Sequence, residues 1–553
     1  MKLLQWCILL SGINAIFAQE GAPLAATLNG TYSGLYLPDW DQDAFLGIRF
    51  AQPPVGDWRY RHPRSLNTSF EGIHDAKHYG YSCMQYVDQL NMSEDCLTLN
   101  VIRPAYPSPT PLPVLVWIYG GGLGVGTAAD PQYNLSGIVK VGQDIEQPVI
   151  AVSINYRVNH WGFLQSQQTL IEGSSNAGLL DQRLAFQWIQ ENIAAFGGDP
   201  GRVILWGESA GAQSITYHML SYDGRDDGLF HGAILESGGP TGCPVKDLAY
   251  WTVPFENLTR SVDCYSAGDH LSCLRSVDSA KLLAARQSQE WQGPLIDGEF
   301  LTGYPSQLLP QGKFIKVPLL TGANTDEGIT FNPSYPPKPH KLLLETDKDL
   351  FDNFLAWRTY DLSPPTLKKL LELYPSDTCD EPPHSITNCS RFPSMGAQWR
   401  RAANIGGDMV MIAGRRKMCQ VFSEAKQQVF NYRFDTRLWN RTELEGVVHF
   451  DNVAFSFQNI SGLLGPSPEY DSHRRLSRAI GKAYIRFAYN FDPNPSGHSD
   501  ESHEDIPYWP RYTVLNPRNM VLNASGSYVE SDTYRREGIS FLNSPEVSRE
   551  LLG

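Results

Sequence analysis

The sequence predicts an α/β protein built on a large, mostly parallel central sheet flanked by helices. Two observations predict it. Short apolar runs at Val114–Tyr119, Val149–Ile154, Val203–Trp206, Ala233–Leu235, Val317–Leu320 and Val429–Phe434 show little polar alternation, as expected of strands covered on both faces. Stretches with helical spacing lie between them, and strands alternating with helices indicate parallel crossover units.

Taken in order, the Val114–Tyr119 run meets three glycines at Gly120–Gly122. Asn176–Phe196 reads as a helix, with Leu180, Leu184, Trp188 and Ile193 at near-i+4 spacing and Gly197-Gly198 as its stop. Val203–Trp206 is followed by a helix beginning near Ala210. Pro-rich stretches at Pro104–Pro113, Pro333–Pro339 and Pro493–Pro510 read as loops, because proline restricts its neighbours and cannot continue a helix. No repeat or low-complexity tract divides the chain.

Composition narrows the function. Of 553 residues, 42% are hydrophobic, 11% aromatic and 19% charged, enough apolar material to exclude a disordered chain. Lys and Arg number 45 against 59 Asp and Glu, a net charge of −14. No basic stripe exists, which argues against a nucleic-acid partner.

The first residues read as a secretory signal peptide. Lys2 is a short positive region, Leu3–Phe17 is mostly apolar, and Ala18 offers a small residue before a cut. The expected organisation is therefore a signal peptide over 1–18 and a single domain over 19–553, with no integral membrane segment after cleavage. Eight cysteines remain, Cys83, Cys96, Cys243, Cys264, Cys273, Cys379, Cys389 and Cys419, an even number that suggests disulfides in an exported chain. Glycosylation triplets occur at Asn29, Asn67, Asn91, Asn134, Asn257, Asn388, Asn440, Asn459 and Asn523.

The chemistry centres on Gly207-Glu208-Ser209-Ala210-Gly211. This is G-x-S-x-G between an apolar strand and a helical stretch, the context in which a serine nucleophile stands on a sharp turn. A serine needs a base within hydrogen-bond reach, and that base needs an orienting acid, following in the order Ser, Asp/Glu, His. Nine histidines follow Ser209: His218, His231, His270, His340, His384, His449, His473, His498 and His503. The residues alone do not choose among them. Gly120–Gly122 fits neither a dinucleotide fingerprint nor a phosphate loop. Glycines there would let backbone N–H groups approach a tetrahedral oxyanion.

Longer segments carry a resemblance. Asn176–Arg183 (NAGLLDQR) with Ile193–Val203 (IAAFGGDPGRV), then Gly207–Gly211, resemble the type-B carboxylesterase/lipase family, which includes cholinesterases and fungal lipases, secreted members among them. Phe45–Gly56, Ser93–Val101 and Trp117–Leu123 match as well, and the likeness runs from about residue 30 to about 490. It implies the α/β-hydrolase fold and a serine carboxylic ester hydrolase acting on a small-molecule ester. It also implies Ser209 as nucleophile, and Glu327, within Gly322–Thr330, as acid with Asp326 as the adjacent alternative. His449, within Val448–Asn452, is the implied base. The oxyanion donors implied are the amides of Gly121, Gly122 and Ala210. Cys83–Cys96 and Cys264–Cys273 resemble the family's disulfides, with Cys379–Cys389 and Cys243–Cys419 as guesses. No cofactor or metal is implied.

The segment between Cys83 and Cys96, MQYVDQLNMSED, is short and holds Tyr86 as its single aromatic. A quaternary-ammonium site prefers tryptophan, so cholinesterase activity is not expected, nor is a large lid. Two alternatives stay open. One is an esterase or acyltransferase acting on a particular secondary metabolite; the other is an inactive adhesion-type member, against which the filled triad positions argue.

Overall fold

The computed structural model describes residues 22–551 apart from 88–89, 107, 241–243, 286–292, 332–342, 356–359, 376–395, 440, 443–444, 460–469 and 496–505. The leader, Cys243, Cys379, Cys389, Asn388, Asn440, the Pro333–Pro339 loop and part of Pro493–Pro510 lie outside the described residues.

Each apolar run is a strand of one eleven-stranded mixed sheet. In chain order its strands are β1 (Leu35–Leu37), β2 (Gln42–Arg49), β3 (Thr98–Pro104), β4 (Leu112–Ile118), β5 (Ile150–Ile154) and β6 (Gly198–Glu208). β7 (Gly232–Glu236), β8 (Leu319–Asn324), β9 (Val429–Phe434), β10 (Arg518–Leu522) and β11 (Tyr528–Ser531) complete it. The spatial order is β11-β10-β9-β8-β7-β6-β4-β5-β3-β2-β1. From β5 across to β10 neighbouring strands are parallel; the pairs at the two edges are antiparallel. β4, β5, β7, β8 and β9 are buried at every residue, the physical reason their sequences lack alternation.

Helices cover both faces. α1 (Ser136–Asp144) and α7 (Asp471–Asn490) pack together on one. There Trp117 and Trp206, register partners on β4 and β6, meet at 4.7 Å between ring centroids, and Trp206 reaches Tyr484 of α7 at 6.0 Å. α2 (Ala177–Asn192) and α3 (Ala210–Gly224) lie against β6, and α6 (Ala413–Glu424) against β8 and β9. The expected apolar stripe on α2 needs correction. Leu180 and Leu184 are only half-buried, whereas Leu179, Ala185, Phe186 and Ile189 are buried along with Asp181, Gln182 and Arg183. Trp188 and Ile193 of that stripe are buried as expected, but Leu180 and Leu184 fall on the side that carries the exposed Gln187 and Glu191. On the enclosed side polar residues are paired, and Arg157 donates to both oxygens of Asp181, at 2.7 and 2.8 Å.

Two further elements reach the carboxyl ends of the parallel strands, where open α/β sheets place their ligands. α4 (Glu327–Phe331) follows β8 at once. The helical run from α5 (Trp399–Gly407) to α6 is continuous through a π-helical turn at Asp408–Ile412. Tyr374 and Arg535 both donate to the buried Asp408, at 2.7 Å each, which pins that turn. No helix among the described residues is long and apolar enough to cross a membrane.

Candidate active site

The strand β6 ends at Glu208 and the chain reverses into α3 through Ser209, at φ 55° and ψ −125°. A non-glycine residue held there costs of order 1–3 kcal/mol and persists only where its surroundings over-determine it. They do so here. The Ser209 N–H donates to the Glu236 carbonyl at 2.9 Å, and its carbonyl accepts from Gln213 N at 2.9 Å. The flanking glycines are required by close approach rather than by φ. A Cβ on Gly207 would lie 2.8 Å from the Gly211 carbonyl carbon, and one on Gly211 would lie 2.0 Å from the Ile118 oxygen.

Ser209 lines a cavity of about 580 Å³ together with Gly121, Gly122, Glu208, His449 and Phe450. Among the described residues His449 is the histidine of this wall. His218 instead lies buried on α3, bonded through Nε2 to Gln182 Oε1 at 3.0 Å, and His231 sits beside Val203 N. His340, His384, His498 and His503 lie outside the described residues. Ala210, the third amide named with Gly121 and Gly122, opens α3 directly after Ser209 and is buried.

The turn after β8 carries Glu327, which the sequence resemblance named as the acid. Glu327 is buried, and both carboxylate oxygens are used: Oε1 accepts from Asn324 N at 2.7 Å, and Oε2 lies 2.7 Å from His449 Nδ1. That contact puts the neutral ring's proton on Nδ1 and leaves Nε2 as an acceptor. Asn324 Nδ2 also donates to the Val448 carbonyl, tying the acid's turn to the histidine's loop. Asp326, one residue earlier, points elsewhere. Its Oδ1 meets Arg400 Nη2 of α5 at 2.6 Å, and its Oδ2 accepts from Val447 N at 2.9 Å.

Sequence reasoning passed over Glu208, the variable position of the G-x-S-x-G motif. Its Oε1 lies 3.2 Å from His449 Nε2, though not aligned as a hydrogen bond. Burial pushes the Glu208 carboxyl up to about 8. Burial also opposes protonation of His449, but the Glu208 and Glu327 carboxylates outweigh it and raise the imidazole to about 9. Glu236 is the second carboxyl passed over. It pairs in register with Glu208 and accepts from Trp206 Nε1, Tyr484 OH and Asn452 Nδ2 at 2.8–2.9 Å, joining the Ser209 turn to the loop after His449. The available signal was two apolar strands, each ending in a glutamate.

The cavity is otherwise largely apolar. Val125, Phe331, Tyr360, Val410 and Met411 line it, the last two from the π-helical turn. Gln85, Val87 and Leu90 come from the Cys83–Cys96 segment. Tyr86 of that segment turns away, its ring 5.7 Å from Trp161 and 6.0 Å from His160. Cys83 is bonded to Cys96 and Cys264 to Cys273, at 2.07 and 2.01 Å. The guessed Cys243–Cys419 pair is not made. Cys419 is a free thiol packed in the core, which burial pushes up to about 12; a cysteine suits such a place as a small hydrophobe. Of the glycosylation triplets, Asn67, Asn91, Asn134 and Asn257 are exposed, and Asn29, Asn459 and Asn523 are half-buried. The amide nitrogen of Asn29 donates to two backbone carbonyls, and that of Asn523 donates to Asp435.

Comparisons with known proteins place the chain in a family. The model of the Carboxylesterase family matches residues 22–541. Similar chains include Lipase 2 of Geotrichum candidum, 31% identical over 95% of each chain, and Lipase 4 of Diutina rugosa, 32% identical over 96% of this chain and 97% of that one. Secreted lipase 1 of Botryotinia fuckeliana is 31% identical over 90% and 89%. The sheet flanked by helices is the α/β-hydrolase fold, and the chain belongs to the carboxylesterase family of ester hydrolases.

Proposed function

We propose that this chain is a secreted serine carboxylesterase working through a Ser209–His449–Glu327 triad. The observation that carries the reading is the 2.7 Å contact between His449 Nδ1 and Glu327 Oε2 in the same cavity wall as the strained Ser209 turn. His449 takes the Ser209 proton as the oxygen attacks the ester carbonyl. Glu327 holds the tautomer and stabilises the imidazolium, and His449 then protonates the leaving alcohol. The amides of Gly121, Gly122 and Ala210 receive the oxyanion, each worth roughly 2.7–4 kcal/mol of transition-state stabilisation. Water resolves the acyl-enzyme by the reverse sequence.

Export is supported by the apolar leader over 1–18, the two disulfides, the nine glycosylation triplets and a relative named as a secreted lipase. Residues 19–553 then form a single catalytic domain. Short and medium acyl esters are the preferred substrates, although several relatives are named lipases. The Cys83–Cys96 segment builds the cavity wall with Gln85, Val87 and Leu90, and it leaves little chain for a hydrophobic cover. A panel of p-nitrophenyl esters of increasing chain length tests this on the secreted protein. Activity should peak at short to medium chains and show no jump as substrate passes its solubility limit. A sharp rise there, or full turnover by Ser209→Ala, overturns the reading.

A further inference from the structure

Gln85 is fully buried in the cavity wall, and its amide is completely used. Nε2 donates to the Cys83 carbonyl at 3.0 Å and to the Gly126 carbonyl at 2.9 Å; Oε1 accepts from the Gly126 N–H at 2.8 Å. The three partners fix the amide's orientation. Turned over, it would set an NH₂ against the Gly126 N–H and an oxygen against two carbonyls. One side chain therefore grips both polar groups of a single peptide residue. Its own root is held by Cys83, which is bonded to Cys96.

Gly126 ends the glycine-rich loop that begins at Gly120. Within it, the Gly121 carbonyl accepts from Gly124 N at 3.1 Å and Val125 N at 3.2 Å. Gly121 lies at φ 95°, where a Cβ would sit 2.3 Å from the Val125 oxygen. Gly121 and Val125 are thus tied to each other by a backbone hydrogen bond and close packing, and Val125 is covalently next to Gly126. The loop's other end is fixed where it leaves β4: Tyr119 stacks on Tyr156 at 4.4 Å and donates its hydroxyl to the Tyr156 carbonyl. Glycines carry much backbone freedom. A loop built from them gives a preorganised oxyanion site only if both ends are held.

We propose that Gln85 is a positioning residue for the oxyanion donors: by clamping Gly126 to the disulfide-closed segment, it holds the Gly121 and Gly122 amides where charge develops. The proposal rests on Ser209 being the nucleophile. Gln85 acts without bonding to substrate; its effect on rate passes entirely through the loop.

The test compares wild type with Gln85→Met, which keeps the length and loses the polar groups, and with Gln85→Glu. The glutamate can accept from Gly126 N–H but cannot donate to the two carbonyls. For each full-length protein, kcat and KM for p-nitrophenyl butyrate are measured together with inhibition by a trifluoromethyl ketone, which forms a tetrahedral adduct. Inhibition by the unreactive amide of the same acyl group and the Tm complete the set. Both variants should lose about 10- to 100-fold in kcat and the same factor in ketone affinity. KM and amide affinity should stay within about threefold. Unchanged ketone affinity, or ketone and amide affinities falling together, overturns the proposal in favour of a purely structural role. If one variant fails to fold, the other, or Gln85→Asn, gives the same comparison. Labelling by a fluorophosphonate separates the two levels. A wild type that is active but not labelled at Ser209 overturns the nucleophile assignment and this inference with it. A labelled wild type with unaltered variants overturns the inference alone.

Discussion

Around His449 two carboxylates face one imidazole; around Asp532 two guanidiniums face one carboxylate. Both clusters are buried, yet their charge imbalance has opposite sign. Asp532 meets Arg415 Nη2 at 3.0 Å and Arg416 Nη2 at 2.7 Å. Burial alone would raise its carboxyl, but the two cations hold it well below the usual carboxylate range. At His449 carboxylates outnumber the cation, and Glu208 is pushed up by burial first, with the Glu327 and Glu236 carboxylates adding to the rise against the pull of His449. A surplus of cations fixes one protonation state, which suits a brace between α6 and the end of the sheet. A surplus of carboxylates brings proton affinities close together, which suits the proton exchange proposed for His449. Adjacent residues repeat the contrast: Asp326 is committed to Arg400, while Glu327 is committed to His449.

Ser209→Ala should give the largest effect, a loss of about 10⁶-fold in kcat, with unchanged circular dichroism and Tm because the turn keeps its backbone bonds. Near-normal turnover would remove the site from catalysis.

Glu327→Gln should follow, with a loss of about 10⁴-fold from the wrong tautomer and a weakened imidazolium. Asp326→Asn should behave in the opposite way. It strands the buried Arg400 and costs about 3–5 kcal/mol of stability, while the activity of each folded molecule stays close to wild type. Urea unfolding followed by active-site titration separates the two, and a reversed outcome would make Asp326 the acid.

A smaller effect is expected at Glu208. In the proposed mechanism His449 must be neutral to accept the Ser209 proton, so kcat/KM should fall as pH drops through its pKa. Carboxylates raise that pKa, which places the acidic limb above the 6.5 of a free imidazole. Glu208→Gln removes one of them and should move the limb about one unit toward acid. A limb that stays in place would show that Glu208 holds its proton throughout and exerts no pull.

Asp532→Asn should leave the rate profile untouched while lowering stability by about 3–5 kcal/mol. In wild type this contribution is fully present above the unfolded carboxyl pKa near 3.9 and is lost as pH falls through the depressed folded value. Thermal melts from pH 7 to pH 3 should show the wild type approaching the variant only at the acid end.

Much of this was legible in the sequence, for particular reasons. β4 and β9 are buried on both faces, so hydrophobicity alone marks them. The Ser209 turn is marked by two glycines that steric contact makes obligatory. β2 was not legible: it buries Gln42 and Asp43 beside Phe45 and Ile48, so neither a continuous apolar run nor alternation appears. The α2 stripe misled in part because Leu180 and Leu184 lie on the solvent side while Asp181 and Arg183 are buried and paired with Arg157 and Asp227 from outside the helix. Glu208 was hidden for a different reason. Its importance lies in its distance to a ring 241 residues away, and no local pattern encodes that distance.

Separation along the chain has a consequence for how activity is acquired. Ser209, Glu327 and His449 are 118 and 122 residues apart and come from the ends of, or the loops after, strands β6, β8 and β9. Parallel pairing of this kind closes long loops before it is rewarded and is intrinsically slow. A folding intermediate holding only β4 to β7 would own the proposed nucleophile and its glycine loop but neither the proposed acid nor the proposed base. Regain of ester hydrolysis during refolding would therefore lag behind regain of secondary structure, with the delay set by the docking of β8 and β9.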